Sequence, residues 1–242
     1  MPNAYMGRMK NRAYNLATGI VTNAMHLHPL QTGSILDKLY AVRTGTVNFF
    51  IYKEDEQAIC IDAGFGRHLI LRELDRLGLH PSEVTHVFLT HSDFDHVDGL
   101  AVFEEAEIYL SSDEEPMITG RAARMLGFLY NSKIKRPYHL LRDNDVVAAG
   151  SINIRAISTP GHTAGSMSYL VNESILFAGD TFKLIDGQVF PKRRYINMNT
   201  EQQKESIRKL ARLDTVQLAC TAHNGYTKEF RHAMSNWRQA AA

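Results

Sequence analysis

Residues 91–96 carry His91, Asp93, Asp95 and His96, four side chains able to ligate a metal, directly after the apolar, β-branched run 84–89. His91 and Asp93 are two apart and share a side where the chain leaves a strand still extended, whereas the adjacent Asp95 and His96 diverge toward a second point. That geometry suits two neighbouring metal ions. A competing reading is a helix N-terminus, with Ser92, Asp93 or Asp95 capping the first-turn N–H groups of a helix that starts near His96. A cap needs one such oxygen and leaves the two histidines unexplained.

Three downstream segments repeat the theme. Thr159-Pro160-Gly161-His162-Thr163 sets a histidine in a Pro-Gly turn after the strand-like run 151–157. Ala178-Gly179-Asp180-Thr181 ends the apolar run 174–177 on a carboxylate, and Thr221-Ala222-His223-Asn224-Gly225 ends 216–220 on an imidazole. Functional side chains concentrate on loops held by a rigid scaffold. Metal-capable groups at the ends of several strands therefore point to one convergent site.

In this order the segments resemble the metallo-β-lactamase superfamily: an H-x-H-x-D-H motif, a His in a P-G-H turn, an Asp in a G-D turn and a last His after the final core strand. The likeness runs from about 39 to 233 and includes the turn Ile61-Asp62-Ala63-Gly64. The chain departs from the pattern at Asp93, giving H-x-D-x-D-H where the family has a second histidine. The H-x-E-x-D-H variant of flavodiiron proteins, which hold two irons, shows that a carboxylate there is compatible with a working site.

Carried over by position, the resemblance implies that His91, Asp93 and His162 hold one metal and Asp95, His96 and His223 a second, with Asp180 bridging. It also implies that Asp95 orients the nucleophile and that Asp62 buttresses the ligand loops. Two divalent ions, the three aspartates and a hydroxide sum to neutrality, where a histidine at 93 would leave one positive charge. A less positive centre lowers the pKa of bound water less, and the extra hard oxygen makes iron or manganese more competitive. The expected cofactors are thus two divalent ions, zinc first, with iron or manganese as alternatives.

The activity implied by the resemblance is metal-dependent hydrolysis of a carboxylic ester, lactone or thioester through a metal-bridging hydroxide. The compact chain looks more like the lactonase and hydroxyacylglutathione hydrolase branch than like the nucleases. The alternatives are a non-haem di-iron oxidoreductase of flavodiiron type lacking its own flavin domain, a phosphodiesterase, and a degenerate binding protein without metal. Lys183, Lys192, Arg193 and Arg194 follow Asp180 and could meet an anionic substrate, with Lys183 and Arg193 the leading candidates, against the reading of three consecutive basic residues as a solvated loop. Tyr195 and Tyr226 are candidate hydrogen-bond donors to a developing oxyanion, against ordinary half-buried tyrosines.

The elements that must position these groups follow from patterning. Runs 39–42, 47–52, 58–61, 84–89 and 108–110 predict strands, and the nearly continuous Val, Phe, Ile and Tyr of 47–52 predicts one buried on both faces. Leu69, Ile70, Leu74 and Leu77 line one side of a helix ending near Gly78. Runs 152–157, 167–171 and 175–177 supply strands of a second half, and Ile207, Leu210 and Leu213 are spaced for burial on a helix over 201–213. Two packed sheets with helices outside form an αββα sandwich, the α/β fold that the resemblance also implies, with the site at one edge. The stretch 113–135, with Met117, Ile118, Met125, Leu126, Phe128, Leu129 and Tyr130, reads as core, or else as a cover over the cleft or a dimer surface.

A single domain over 1–242 is expected, with 1–37 an N-terminal extension of uncertain structure. The 44% hydrophobic content is enough for a core. A net charge of +1 gives no global attraction to nucleic acid, and no run reaches the ~20 apolar residues a membrane span needs. Segment 9–25 has a faint signal-peptide outline broken by Thr18, Thr22 and Asn23, and is taken as mature sequence. Cys60 and Cys220 read as buried small hydrophobes, without a disulfide framework, and favour a reducing, cytoplasmic setting. His26 and His28 read as surface residues and His86 as structural. The partner expected is a small-molecule substrate, with the oligomeric state open and a homodimer allowed.

Overall fold

The computed structural model describes residue 22 and residues 26–124, 131 and 133–238. Its first sheet has the spatial order β1 (Gly33–Leu36), β2 (Leu39–Thr44), β3 (Val47–Glu54), β4 (Gln57–Ile61), β5 (Val84–Phe88), β6 (Glu107–Ser111) and β7 (His139–Leu141). β1 to β4 pair antiparallel through short turns, and β4 to β7 pair parallel. Parallel neighbours require a crossover, which the helix Arg67–Leu77 provides between β4 and β5.

The second sheet begins with β8 (Val146–Ala149), β9 (Ile152–Ser158), β10 (Met167–Val171) and β11 (Ile175–Phe177), all antiparallel. A separate hairpin follows, β12 (Lys183–Ile185) with β13 (Gln188–Phe190). After the helix Thr200–Ala211, β14 (Leu218–Cys220) joins parallel to β11 and β15 (Tyr226–Thr227) closes the far edge. The parallel pairing again follows from the intervening helix.

Alternation along β3 shows how the layers form. Phe50 and Tyr52 enter the core between the sheets, where they join Phe88, Tyr169 and Phe177, while Phe49 and Ile51 face the helix Arg67–Leu77 with Ile70 and Leu74. On the far side, Ile207 and Leu210 of Thr200–Ala211 cover Leu170 and Leu176. Each large apolar side chain so buried contributes about 1.5–3 kcal/mol. The result is the αββα sandwich, with both sheets covered on both faces.

Gly78 ends the first long helix in the left-handed region, as its position after Leu77 predicts. Several expectations change. Residues 33–36 form β1 and belong to the first sheet rather than to an extension, because Gly33 and Ser34 pair with Ala41 and Tyr40. β7, β8 and the β12–β13 hairpin escape sequence reading because they are three or four residues long and show weak alternation. The mature-sequence reading of 9–25 falls almost wholly outside the described residues, as does 125–130 of the ambiguous stretch; Met117 and Ile118 are buried. Cys60 and Cys220 are buried free thiols, His26 is exposed and His28 is exposed, and His86 lies in an aromatic stack with Phe88 and Tyr109. No described helix is long and apolar enough to cross a membrane.

Strand direction decides where chemistry can gather. β4 and β5 run parallel in one sheet, and β9, β11 and β14 run the same way in the other. The loops after these five strands carry Asp62, His91, His162, Asp180 and His223.

Candidate metal centre

The strand-end loops converge, and two of them depend on glycine. Gly179 has φ +52°, and a Cβ there would lie 2.6 Å from Thr90 Cβ, so the loop before Asp180 seats directly on the loop before His91. Gly161 has φ +135°, and its Cβ would meet the Gln203 backbone nitrogen at 2.3 Å. A side chain at either position would push a loop outward.

Three groups result, each with its potential ligand atoms within 4.8 Å of one another: His91, Asp93 and His162; Asp95, His96 and His223; and His91, His96 and Asp180. The imidazoles form a chain, with ring centroids 4.8 Å apart for His91–His162, 4.0 Å for His91–His96 and 5.7 Å for His96–His223. The short helix Phe94–Val97 starts after Asp93, whose side chain makes no capping hydrogen bond. The capping reading of Asp93 therefore fails.

Each histidine is held by its Nδ1. His91 Nδ1 lies 3.1 Å from Thr90 Oγ1, His96 Nδ1 2.8 Å from Asp62 Oδ2, His162 Nδ1 3.2 Å from Asn197 Oδ1 and His223 Nδ1 2.8 Å from the Thr46 carbonyl oxygen. Thr90 Oγ1 donates to Asp62, leaving its lone pair for His91, and the other three partners are acceptors. An Nδ1–H so engaged leaves the Nε2 lone pair for a metal. The Nε2 atoms of His91 and His96 are buried and, among the described residues, have no hydrogen-bond partner. Orphaned buried nitrogens facing carboxylates are the donor set a divalent cation needs, so these residues fit the metals that the sequence motif implies.

Electrostatics agree with a dense cluster. Burial lowers the pKa of His96, but Asp62, Asp95 and Asp180 outweigh it and push it up to about 10. For His162 burial prevails, and its pKa falls despite Asp93 and Asp180. Burial disfavours the charged forms of Asp93 and Asp180, yet neighbouring groups hold both far below the ordinary carboxylate range: His91, His162 and Arg124 for Asp93, and His223, Lys192 and His162 for Asp180.

Two buried cations that the motif does not reveal stand among the carboxylates of the cluster. Arg124 grips Asp93 with both arms, Nε to Oδ1 at 2.7 Å and Nη2 to Oδ2 at 3.0 Å. Lys192 Nζ lies 2.8 Å from Asp180 Oδ1 and is likewise buried, so it is no part of a solvated loop. The three aspartates therefore meet two resident positive charges even before any metal. The buried carboxylates of Asp62, on His96, and Glu114, on Ser92 and Thr163, offset these two cations, so the balance expected from the motif is kept.

Glu114 also escapes sequence reading. Fully buried, it accepts from Ser92 N at 2.7 Å, Ser92 Oγ at 2.6 Å, Thr163 Oγ1 at 2.7 Å and Gly165 N at 3.2 Å, tying the His91 loop to the His162 loop. Gln203 donates to the Asp180 carbonyl oxygen and accepts from Lys192 N. No sequence motif marks Glu114 or Gln203. Among the described residues, no hydrogen bond or ion pair joins Lys183, Arg193, Tyr195 or Tyr226 to the cluster. Arg193 instead donates to the exposed Tyr195 hydroxyl, and Tyr226 lies on the edge strand β15.

A family model described as the metallo-beta-lactamase superfamily matches residues 42–223. The chain is 28% identical over 217 residues to the uncharacterized protein YobT of Bacillus subtilis, covering 80% of this chain and 88% of that one. It is 33% identical over 132 residues to a probable polyketide biosynthesis zinc-dependent hydrolase of Bacillus velezensis, covering 53% and 51%, and 35% identical over 147 residues to hydroxyacylglutathione hydrolase of Bartonella tribocorum, covering 59% and 49%. The matched region thus spans about half the length of these two relatives. A metallo-beta-lactamase family protein from Thermus thermophilus shares the fold with a TM-score of 0.68 at 19% identity, covering 86% of this chain and 80% of that one.

Proposed function

Because this chain belongs to the metallo-beta-lactamase superfamily, we propose that it is a hydrolase of a carboxylic ester, lactone or thioester, working through a dinuclear centre held by His91, Asp93, Asp95, His96, His162, Asp180 and His223. The observation that carries this reading is the pair of orphaned Nε2 atoms on His91 and His96, buried and facing carboxylates within ligand distance. Bound divalent cations supply an activated water and Lewis-acid polarisation of a carbonyl.

The chain's own residues do the rest. Asp62, Thr90, Asn197 and the Thr46 carbonyl fix the four imidazoles, so that little reorganisation accompanies the reaction. Asp95, partly exposed at the mouth of the cluster, orients the attacking water and accepts its proton. Asp180 lies between the two histidine groups, 3.4 Å from both His162 Nε2 and His223 Nε2. Lys192 fixes that carboxylate and adds positive charge where an oxyanion develops. An acyl substrate is favoured over a phosphodiester by the likeness to hydroxyacylglutathione hydrolase, and zinc by the likeness to a probable zinc-dependent hydrolase.

Elemental analysis of the purified protein, coupled to assays on lactones, thioesters, phosphodiesters and β-lactams, tests the reading. Zinc with turnover of a thioester, lactone or ester is expected. Turnover of phosphodiesters alone would overturn the substrate class. Iron with a visible band that bleaches on reduction, and no hydrolysis, would replace the hydrolase by an oxidoreductase.

A further inference from the structure

The two outer histidine–carboxylate trios use the same residue types, two imidazoles and one aspartate, but not the same surroundings. In Asp95–His96–His223, Asp95 meets, among the described residues, only imidazole nitrogens, at 3.9 Å from His96 Nε2 and 3.6 Å from His223 Nε2. In His91–Asp93–His162 a guanidinium already occupies two of the three ligand groups, Asp93 and His162. Arg124 takes both Asp93 oxygens, and its Nη2 also lies 3.1 Å from His162 Nε2, the lone pair a metal would use. Nη2 further donates to the Ile196 carbonyl oxygen at 3.0 Å, which anchors the group, and Asn131 Nδ2 approaches Asp93 Oδ1 at 3.4 Å.

A planar fork on a carboxylate is the strongest ion-pair geometry available to a side chain, and Arg124 is buried, where water screens it little. Among the described residues its Nη1 has no hydrogen-bond partner, so the grip leaves that donor nitrogen unmet. That unmet donor weakens the hold and makes Arg124 a displaceable competitor rather than a permanent plug.

We propose that Arg124 makes the two trios unequal, so that a divalent cation fills Asp95–His96–His223 first and His91–Asp93–His162 only after displacing Arg124 from Asp93. The chain then passes from one bound metal to two over separate ranges of metal concentration. This rests on the metal-centre reading above. It adds a built-in order of filling, set by a residue 31 positions from the aspartate it guards.

Calorimetric titration of the chelator-stripped full chain with Zn2+, together with a count of bound metal, tests the order. Wild type is expected to show one tight step and a second at least about 10-fold weaker; Arg124→Gln should strengthen the second step about 10-fold or more and leave the first unchanged. Arg124→Lys, which keeps the charge but loses the fork, should fall between them. His223→Asn should remove the tight step and His162→Asn the weak one.

Two equal steps in wild type would overturn the proposal, as would an unchanged second step in Arg124→Gln. If Arg124→Gln does not fold by circular dichroism, the wild-type titration and Arg124→Lys still decide. Absence of any zinc uptake by wild type would overturn the metal-centre reading and this inference together, whereas two equal steps would leave that reading standing.

Discussion

Asp93 and Asp95 are two residues apart, yet they inhabit different electrostatic worlds. Both are partly exposed, but Asp95 faces imidazoles, while Asp93 is clasped by a buried guanidinium and by two imidazole nitrogens at 3.2 and 3.5 Å. What distinguishes the two carboxylates is which distant residue the fold delivers to each, and this sets what each can bind.

The sharpest way to break the comparison is Asp93→His, which restores the histidine usual at this motif position. On ligand chemistry alone the change should raise zinc preference. The structure adds a penalty: Arg124 would be left buried without its carboxylate, a loss of about 3–5 kcal/mol in stability. A marked fall in melting temperature is expected for Asp93→His, recovered in large part by Asp93→His/Arg124→Gln; equal melting temperatures for wild type and Asp93→His would show that the clasp carries no weight.

On the opposite side, Asp62→Ala removes the acceptor that holds His96 Nδ1. Loss of such a supporting contact costs about 10–100-fold in metal affinity. Competition against a chromophoric chelator should show the larger loss in the tight step and a smaller one in the weak step, because Asp62 also accepts from Thr90, which holds His91. A loss confined to the weak step would mean that the two sides fill in the reverse order.

Gly179→Ala tests the seam between the sides, since the new Cβ must be accommodated against Thr90 in a left-handed backbone. The expected cost is about 1–3 kcal/mol by thermal unfolding. The smallest effect is expected for Asn199→Ala. Asn199 caps the helix Thr200–Ala211 by accepting from Gln202 N, and that helix supplies Gln203 to the Asp180 and Lys192 loops. About 1 kcal/mol should be lost, with metal binding unchanged.

Much of the scaffold is legible in the sequence because its signals are local. The nearly continuous run of large apolar residues over 47–52, broken only by Asn48, marks a strand buried on both faces, and the spacing of Ile70 and Leu74 before Gly78 marks a helix and its end. Short or edge strands such as His139–Leu141 and Val146–Ala149 carry too few residues for a period to stand out. The substrate candidates Tyr195, Tyr226, Lys183 and Arg193 lie near the motifs along the chain, and nearness in sequence does not bring them into contact with the cluster.

The sequence by itself determined which imidazoles and carboxylates end which strands, since ligand chemistry resides in the side chain and strand ends are marked by local patterning. Tertiary structure alone decided the cations beside them. Arg124 reaches Asp93 across 31 residues and Lys192 reaches Asp180 across 12, and neither spacing is a helix or strand period. Coulomb energy depends on through-space distance and on exclusion of water, and both are created only when the loops close on one another.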